Sequence, residues 1–159
     1  MQRTRAVPSP AVPQPTLECK AADLKLSFGP PDGAAGHLYQ VLDFTNVGGT
    51  RCTMAGFPGV SYVSGENGQQ IGAPAVPDGQ IGPPVTLAPG QVAHSTVDFV
   101  DAGVFDQTSC RPTPVGGVLV YVPDDTIPMY LARAGTGCAG DLPSPQLRVR
   151  TVKAGGNGG

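Results

Sequence analysis

The chain has 159 residues, and that length is the size of a single domain. Gly (23) and Pro (18) recur too often to leave room for amphipathic helices of ordinary length, while 40% hydrophobic residues in short alternating runs exclude simple low-complexity disorder. A formal net charge of −2, only three lysines and scattered arginines at 3, 5, 51, 111, 133, 148 and 150 exclude a nucleic-acid-binding stripe and read as solvated surface. No apolar run is long enough to span a bilayer.

Residues 1–17 carry Pro8, Pro10, Pro13 and Pro15. That composition favours extended polyproline II, either a semi-rigid linker or an arm that docks on a partner. No apolar core follows Met1-Gln-Arg-Thr-Arg-Ala, and Glu18 stands where a lipidated Cys19 would need a small neighbour. The expectation is a leader absent from this chain and a Met1 foreign to the mature protein.

The domain proper is expected over 18–153. Leu24, Leu26 and Phe28 alternate with Lys25 and Ser27, the period of a half-buried strand. Residues 29–36, rich in Pro and Gly, read as a loop. In His37–Val47, Leu38, Leu42 and Phe44 share one face, interrupted by Gln40, and Tyr39 and Val41 lie on the other, as in a central strand.

Val60–Val63 and Gln70-Ile71 flank Asn67-Gly68, a hairpin signal. Residues 72–84 read as a further loop. In Val92–Phe99 the inner set is Ala93, Ser95, Val97 and Phe99, with His94 and Asp98 outward. Val118–Val122 is a strand, Ile127–Leu131 an edge or irregular one because of Pro128, and Gln146–Val152 alternates again. Residues 154–159 read as a flexible Gly-rich tail. Seven to eight short strands fit an all-β, two-sheet antiparallel sandwich.

Cys19, Cys52, Cys110 and Cys138 allow three pairings by spacing alone. Strand positions choose among them. Residues 110 and 138 flank a hairpin centred on Pro123–Thr126, and Cys19 and Cys52 lie at one end of the first two strands. The expected disulfides are therefore Cys19–Cys52 and Cys110–Cys138, which require an oxidising compartment. A zinc site is the competing reading, and the chain has no C-x₂₋₄-C knuckle to support it.

The residues Cys19–Leu24, Asp32-Gly-Ala-Ala-Gly-His37, Phe44-Thr-Asn-Val-Gly-Gly-Thr-Arg-Cys52-Thr-Met-Ala-Gly-Phe-Pro-Gly-Val60, Leu87-Ala-Pro-Gly90, Cys110-Arg-Pro112 and Cys138 resemble a domain of unknown function widespread in exported proteins and lipoproteins of actinobacteria. Met54 stands where leucine is expected. The resemblance implies an immunoglobulin-like sandwich and a secreted or envelope-attached location, and it implies no catalytic residues.

Sequence chemistry is sparse. Gly135-Thr-Gly-Cys-Ala-Gly140 matches a dinucleotide fingerprint but opens no helix. His37 and His94 are the candidate bases, expected to be exposed. Ser95 adjoins His94, yet strand neighbours point to opposite faces, so a hydrolase is the remotest reading. Asp98, Asp101 and Asp106, or Asp124 with Asp125, are residues of the type that hold Ca²⁺ in loops, without EF-hand spacing. Tyr39, Tyr62, Tyr121 and Tyr130 are the aromatics open to a glycan, with core packing the simpler role for Tyr39 and Tyr121.

The functional expectation is a non-enzymatic, cofactor-free, metal-free binding or adaptor module. Its partner would be another extracellular or envelope protein, bound through the Pro-rich arm or a sheet edge. A glycan- or small-ligand-binding module is the alternative.

Overall fold

A computed structural model describes residues 17–156. The linker or arm expected over 1–17 and the end of the Gly-rich tail lie almost wholly outside these residues. The described chain is nearly all β. Its strands are β1 (Leu17–Glu18), β2 (Leu24–Ala34), β3 (His37–Asn46), β4 (Cys52–Met54), β5 (Gly59–Val63), β6 (Gln70–Ile71), β7 (Val76–Asp78), β8 (Val85–Leu87), β9 (Val92–Val100), β10 (Pro112–Tyr121), β11 (Met129–Cys138), β12 (Leu147–Arg150) and β13 (Lys153–Ala154). One helical turn, α1 (Gln107–Cys110), and two 3₁₀ turns complete it.

Hydrogen bonding sorts the strands into a sheet of order β2-β3-β9-β12-β7 with β13 also on β9, a second of order β11-β10-β5-β6, and a small third of order β1-β4-β8. Leu42, Phe44, Val97, Phe99 and Val149 of the first sheet share one core with Val60, Tyr62, Val118 and Val120 of the second. Met54, Val85 and Leu87 of the third close one end of it. The inner set read from the sequence holds in β9, where Ala93, Ser95, Val97 and Phe99 are all buried, but the outer set does not stay in solvent, since His94 and Asp98 are buried as well. An immunoglobulin-like sandwich is compatible with this arrangement.

Three stretches differ from their sequence reading. Residues 29–34 are not loop: β2 runs on through Pro30 and Pro31 to a turn at Gly36, with a register shift between Phe28 and Pro31. The prolines are tolerated because β2 is an edge strand and its ladder with β3 is interrupted at this register shift, so one missing N–H faces away from the sheet and the other falls at the bulge. Residues 76–78 form β7, parallel to β12. The tail begins later than expected, since Lys153 and Ala154 pair with β9 and the Gly155 N–H donates to Val92 O at 2.9 Å.

Both expected disulfides are present, with Cα–Cα distances of 4.9 Å for Cys19–Cys52 and 4.4 Å for Cys110–Cys138. No cysteine is free. Each closes a loop of about 30 residues, worth roughly 3–4 kcal/mol on the chain-entropy account. The first staples the small sheet to the start of β2. The second joins α1 to the end of β11, at the foot of the β10–β11 hairpin.

The corner between them is held by Asn46, which is 1% exposed. Its Nδ2 donates to Thr50 O and to Leu87 O, both at 2.9 Å, and its Oδ1 accepts from Gly48 N at 2.9 Å. One side chain therefore shapes the Gly48-Gly49 turn and anchors β8. The Leu87 carbonyl is buried and has no water to turn to. Asn46→Ala is expected to lower folding stability by about 2–3 kcal/mol, read as a lower denaturant midpoint at an unchanged slope.

Candidate functional site

The second hairpin carries the feature on which the site depends. Val115 and Val118 are both buried although they stand three positions apart, an offset that puts strand residues on opposite faces. The face of β10 flips at Gly116-Gly117, where its register with β11 shifts. Only glycine fits there: a Cβ on Gly116 would lie 2.5 Å from Ser64 O, and one on Gly117 2.3 Å from Leu131 O. Along β11 the alternation continues unbroken. Met129 and Leu131 pack on the core, so Arg133, two residues further on, is turned to the same inward side.

Arg133 lands on aromatic residues. Its guanidinium carbon sits 4.0 Å from the centroid of the Phe99 ring, and its Nη1 donates to the Tyr62 hydroxyl at 3.2 Å. Tyr62 is 3% exposed, and its ring packs against Phe99 at 5.7 Å. Among the described residues no carboxylate lies within ion-pair distance of Arg133. The guanidinium opens into a cleft of about 350 Å³ between the β2–β3 turn, at Ala34 and Gly36, and the β11 edge, at Ala134 to Thr136. A planar cation on an aromatic face gains of the order of 1 kcal/mol and keeps its remaining N–H donors available.

The β11 edge is closed at one end and open at the other. Gln146, 8% exposed, accepts from Cys138 N at 2.8 Å and donates to Thr136 O at 3.2 Å and Val100 O at 3.1 Å. It substitutes for a neighbouring strand. Its contacts identify 136 and 138 as residues whose backbone groups face away from β10. By the two-residue period of an antiparallel ladder, Ala134 presents its N–H and C=O the same way, beside Arg133 and without a partner among the described residues.

Asp101 is on the opposite wall, where its carboxylate accepts from Gly103 N at 2.8 Å. The Tyr62 phenol is raised above 10.0, chiefly by burial, while Arg133 pulls it back and Asp101 adds to the rise.

The residues singled out from sequence are dispersed. Ser95, fully buried, donates from Oγ to Arg150 O at 2.6 Å. His94 is on the other face with its Nδ1 2.8 Å from Gly155 O, so the two form no nucleophile–base pair. His94 is not exposed, as expected of it, but 6% so, because the segment after β13 crosses it. His37 is half-exposed and its Nδ1 lies 2.8 and 3.0 Å from the two carboxylate oxygens of Asp98, which is itself buried at 7%.

The aspartates proposed for calcium work locally. Asp106 caps α1 through Ser109 N at 3.1 Å. Asp124 takes a positive φ of 64° in the turn, and Asp125 accepts from Ala21 N and Ile127 N at 2.8 and 3.1 Å. Those two backbone donors hold the Asp125 carboxyl below its ordinary range. Among the described residues no three His, Cys, Asp or Glu side chains stand together as a metal cluster.

Of the tyrosines, Tyr62 is the one in the core. Tyr39 is on the outer face, stacked on His37 at 5.9 Å with the Arg150 guanidinium 5.6 Å from its ring centroid. Tyr121 is half-buried, and Tyr130 donates its hydroxyl to Gly116 O at 3.0 Å. Gly135 and Gly137 of the dinucleotide-like run lie within β11, where a Gly137 Cβ would press on Val115, Tyr62 and Ile71. These glycines serve strand packing, not a phosphate.

Arg133 and Gln146 were not distinguished by sequence reasoning. The signal for Arg133 was its place in the alternation Met129, Leu131, Arg133; Gln146 leaves no such mark.

A family model described as "Domain of unknown function (DUF4232)" matches residues 19–153. The chain belongs to this family. Its match begins at the first stapling cysteine and ends in β13, enclosing both disulfides and the Arg133 cleft. No curated protein and no solved structure shows a significant match. Among the described residues no helix is long and apolar enough to cross a membrane.

The coupling of Arg133 to Tyr62 is directly measurable. Arg133→Met removes the cation that favours the phenolate, so the Tyr62 pKa is expected to rise further in a tyrosinate absorbance titration. Because the folded value is already above the unfolded one, Tyr62 contributes stability that is complete below pH 10 and declines as pH rises through the folded value. In Arg133→Met this decline extends to higher pH.

Proposed function

We propose that this domain is a non-catalytic, exported binding or adaptor module that holds a protein partner at the open edge of β11. One observation carries the reading: a half-buried arginine, seated on Phe99 and Tyr62 with no carboxylate within ion-pair distance among the described residues, stands beside backbone groups that have no strand to pair with. Open strand edges are templates for a further strand, and proteins that do not use them usually cover or charge them. Here Gln146 covers the Thr136 C=O and the Cys138 N–H and leaves Ala134 uncovered. Two disulfides in a small β-domain support a compartment outside the cytoplasm, where they persist.

The test is site-specific photo-crosslinking of the full chain in envelope and extracellular fractions of the source organism. A probe at Ala134 is expected to give one dominant protein adduct, and a probe at exposed Thr86 on β8 to give none. Equal labelling from both positions, or no adduct from Ala134, contradicts the reading.

A further inference from the structure

We infer that the Arg133 cleft is a recognition site for an extended acidic peptide, which adds as a strand to β11 and sets a glutamate or aspartate carboxylate on the Arg133 guanidinium. This rests on the edge-binding reading above and specifies the ligand.

A strand laid against β11 has one residue directly across from Arg133, and side chains of such pairs project from the same face with Cβ atoms about 5 Å apart. Arg133 faces inward, so its new neighbour also points into the cleft. There it meets the guanidinium; the His37 ring that also lines the cleft already has its Nδ1 engaged by Asp98. Guanidinium and carboxylate match as a planar fork, and Nη1 alone is used by Tyr62. The Phe99 ring beneath and buried Tyr62 hold the fork in place and lower the local dielectric, which strengthens the pair.

Two features favour a peptide over a free anion or an acidic sugar. Asp101, on the far wall with its carboxylate on Gly103 N, opposes any anion that enters by charge alone. The unpaired N–H and C=O of Ala134 add two main-chain hydrogen bonds that only another backbone in extended form reproduces. Gln146 sets the length of the site: its amide takes the Thr136 C=O and the Cys138 N–H, so the incoming strand pairs no further along β11 than the Thr136 N–H. The Pro-rich stretch before Leu17 does not suit it, since residues 1–16 contain no Asp or Glu.

The experiment is a titration of the isotope-labelled full chain with a blocked Thr-Val-Glu-Val-Thr peptide, followed by amide and arginine side-chain NMR signals. Expected are shifts at Ala134 and at the Arg133 Nε–H, protection of the Ala134 amide from exchange, and at least tenfold weaker binding for the peptide with Gln in place of Glu. Arg133→Gln, checked for a native amide spectrum, is expected to lose the same factor, with Arg133→Lys intermediate. Acetate is expected not to bind.

Equal affinity for the Glu and Gln peptides, shifts away from β11, or preferential binding of an oligogalacturonate without protection of Ala134 would overturn the inference. No peptide binding, with the Ala134 crosslink to a protein partner still formed, refutes the acidic-strand ligand and leaves the adaptor reading standing. Loss of the crosslink as well removes both.

Discussion

Every backbone N–H and C=O buried at the rim of these short sheets must find a partner, and buried side-chain amides supply what strands do not. Asn46 does this at the corner between β3 and β4, joining the Gly48 turn to the Leu87 carbonyl of β8. Gln146 does it at the end of β11, joining that strand to the Val100 carbonyl of β9. The two amides sit near the two disulfides: Cys52 follows Asn46 by one turn, and Cys138 donates its N–H directly to Gln146. Covalent staples and hydrogen-bonded plugs thus share the work of closing a domain whose strands are mostly short.

The site follows from where that closure stops. Gln146 satisfies the Cys138 N–H and the Thr136 C=O, and the next outward-facing residue of β11 is Ala134. At the same place the Gly116-Gly117 flip in β10 brings Val115 and Val118 to one face, while uninterrupted alternation in β11 turns Arg133 inward. A cation is therefore carried to the margin of the core, onto Phe99, next to the one stretch of edge left open. The burial that raises the Tyr62 phenol also keeps its hydroxyl protonated as a neutral acceptor for Arg133 at ordinary pH.

Much of the fold was legible because its signals are local. Alternation marked the inner faces of β2, β3 and β9, Asn67-Gly68 marked the β5–β6 connection, and strand positions chose the disulfide partners. What was not legible depends on neighbours. Pro30 and Pro31 read as loop, and only the edge position of β2 together with its register shift makes them acceptable in a strand. β7 pairs in parallel with β12, 72 residues away in sequence, and no local pattern encodes that. His94 read as exposed on correct alternation, and the segment around Gly155 covers it. Arg133 was one of seven scattered arginines until the packing of Met129 and Leu131 fixed the face it shares.

The central claim is that β11 is sealed at Cys138 and open at Ala134. Residue-resolved amide hydrogen exchange on the free protein measures both ends at once. The account predicts a slow Cys138 amide, bonded to the Gln146 side chain, and an Ala134 amide that exchanges close to the rate of an unstructured chain. Protection of Ala134 equal to that of Cys138 would mean that the edge already has a partner, and the proposed site would be closed.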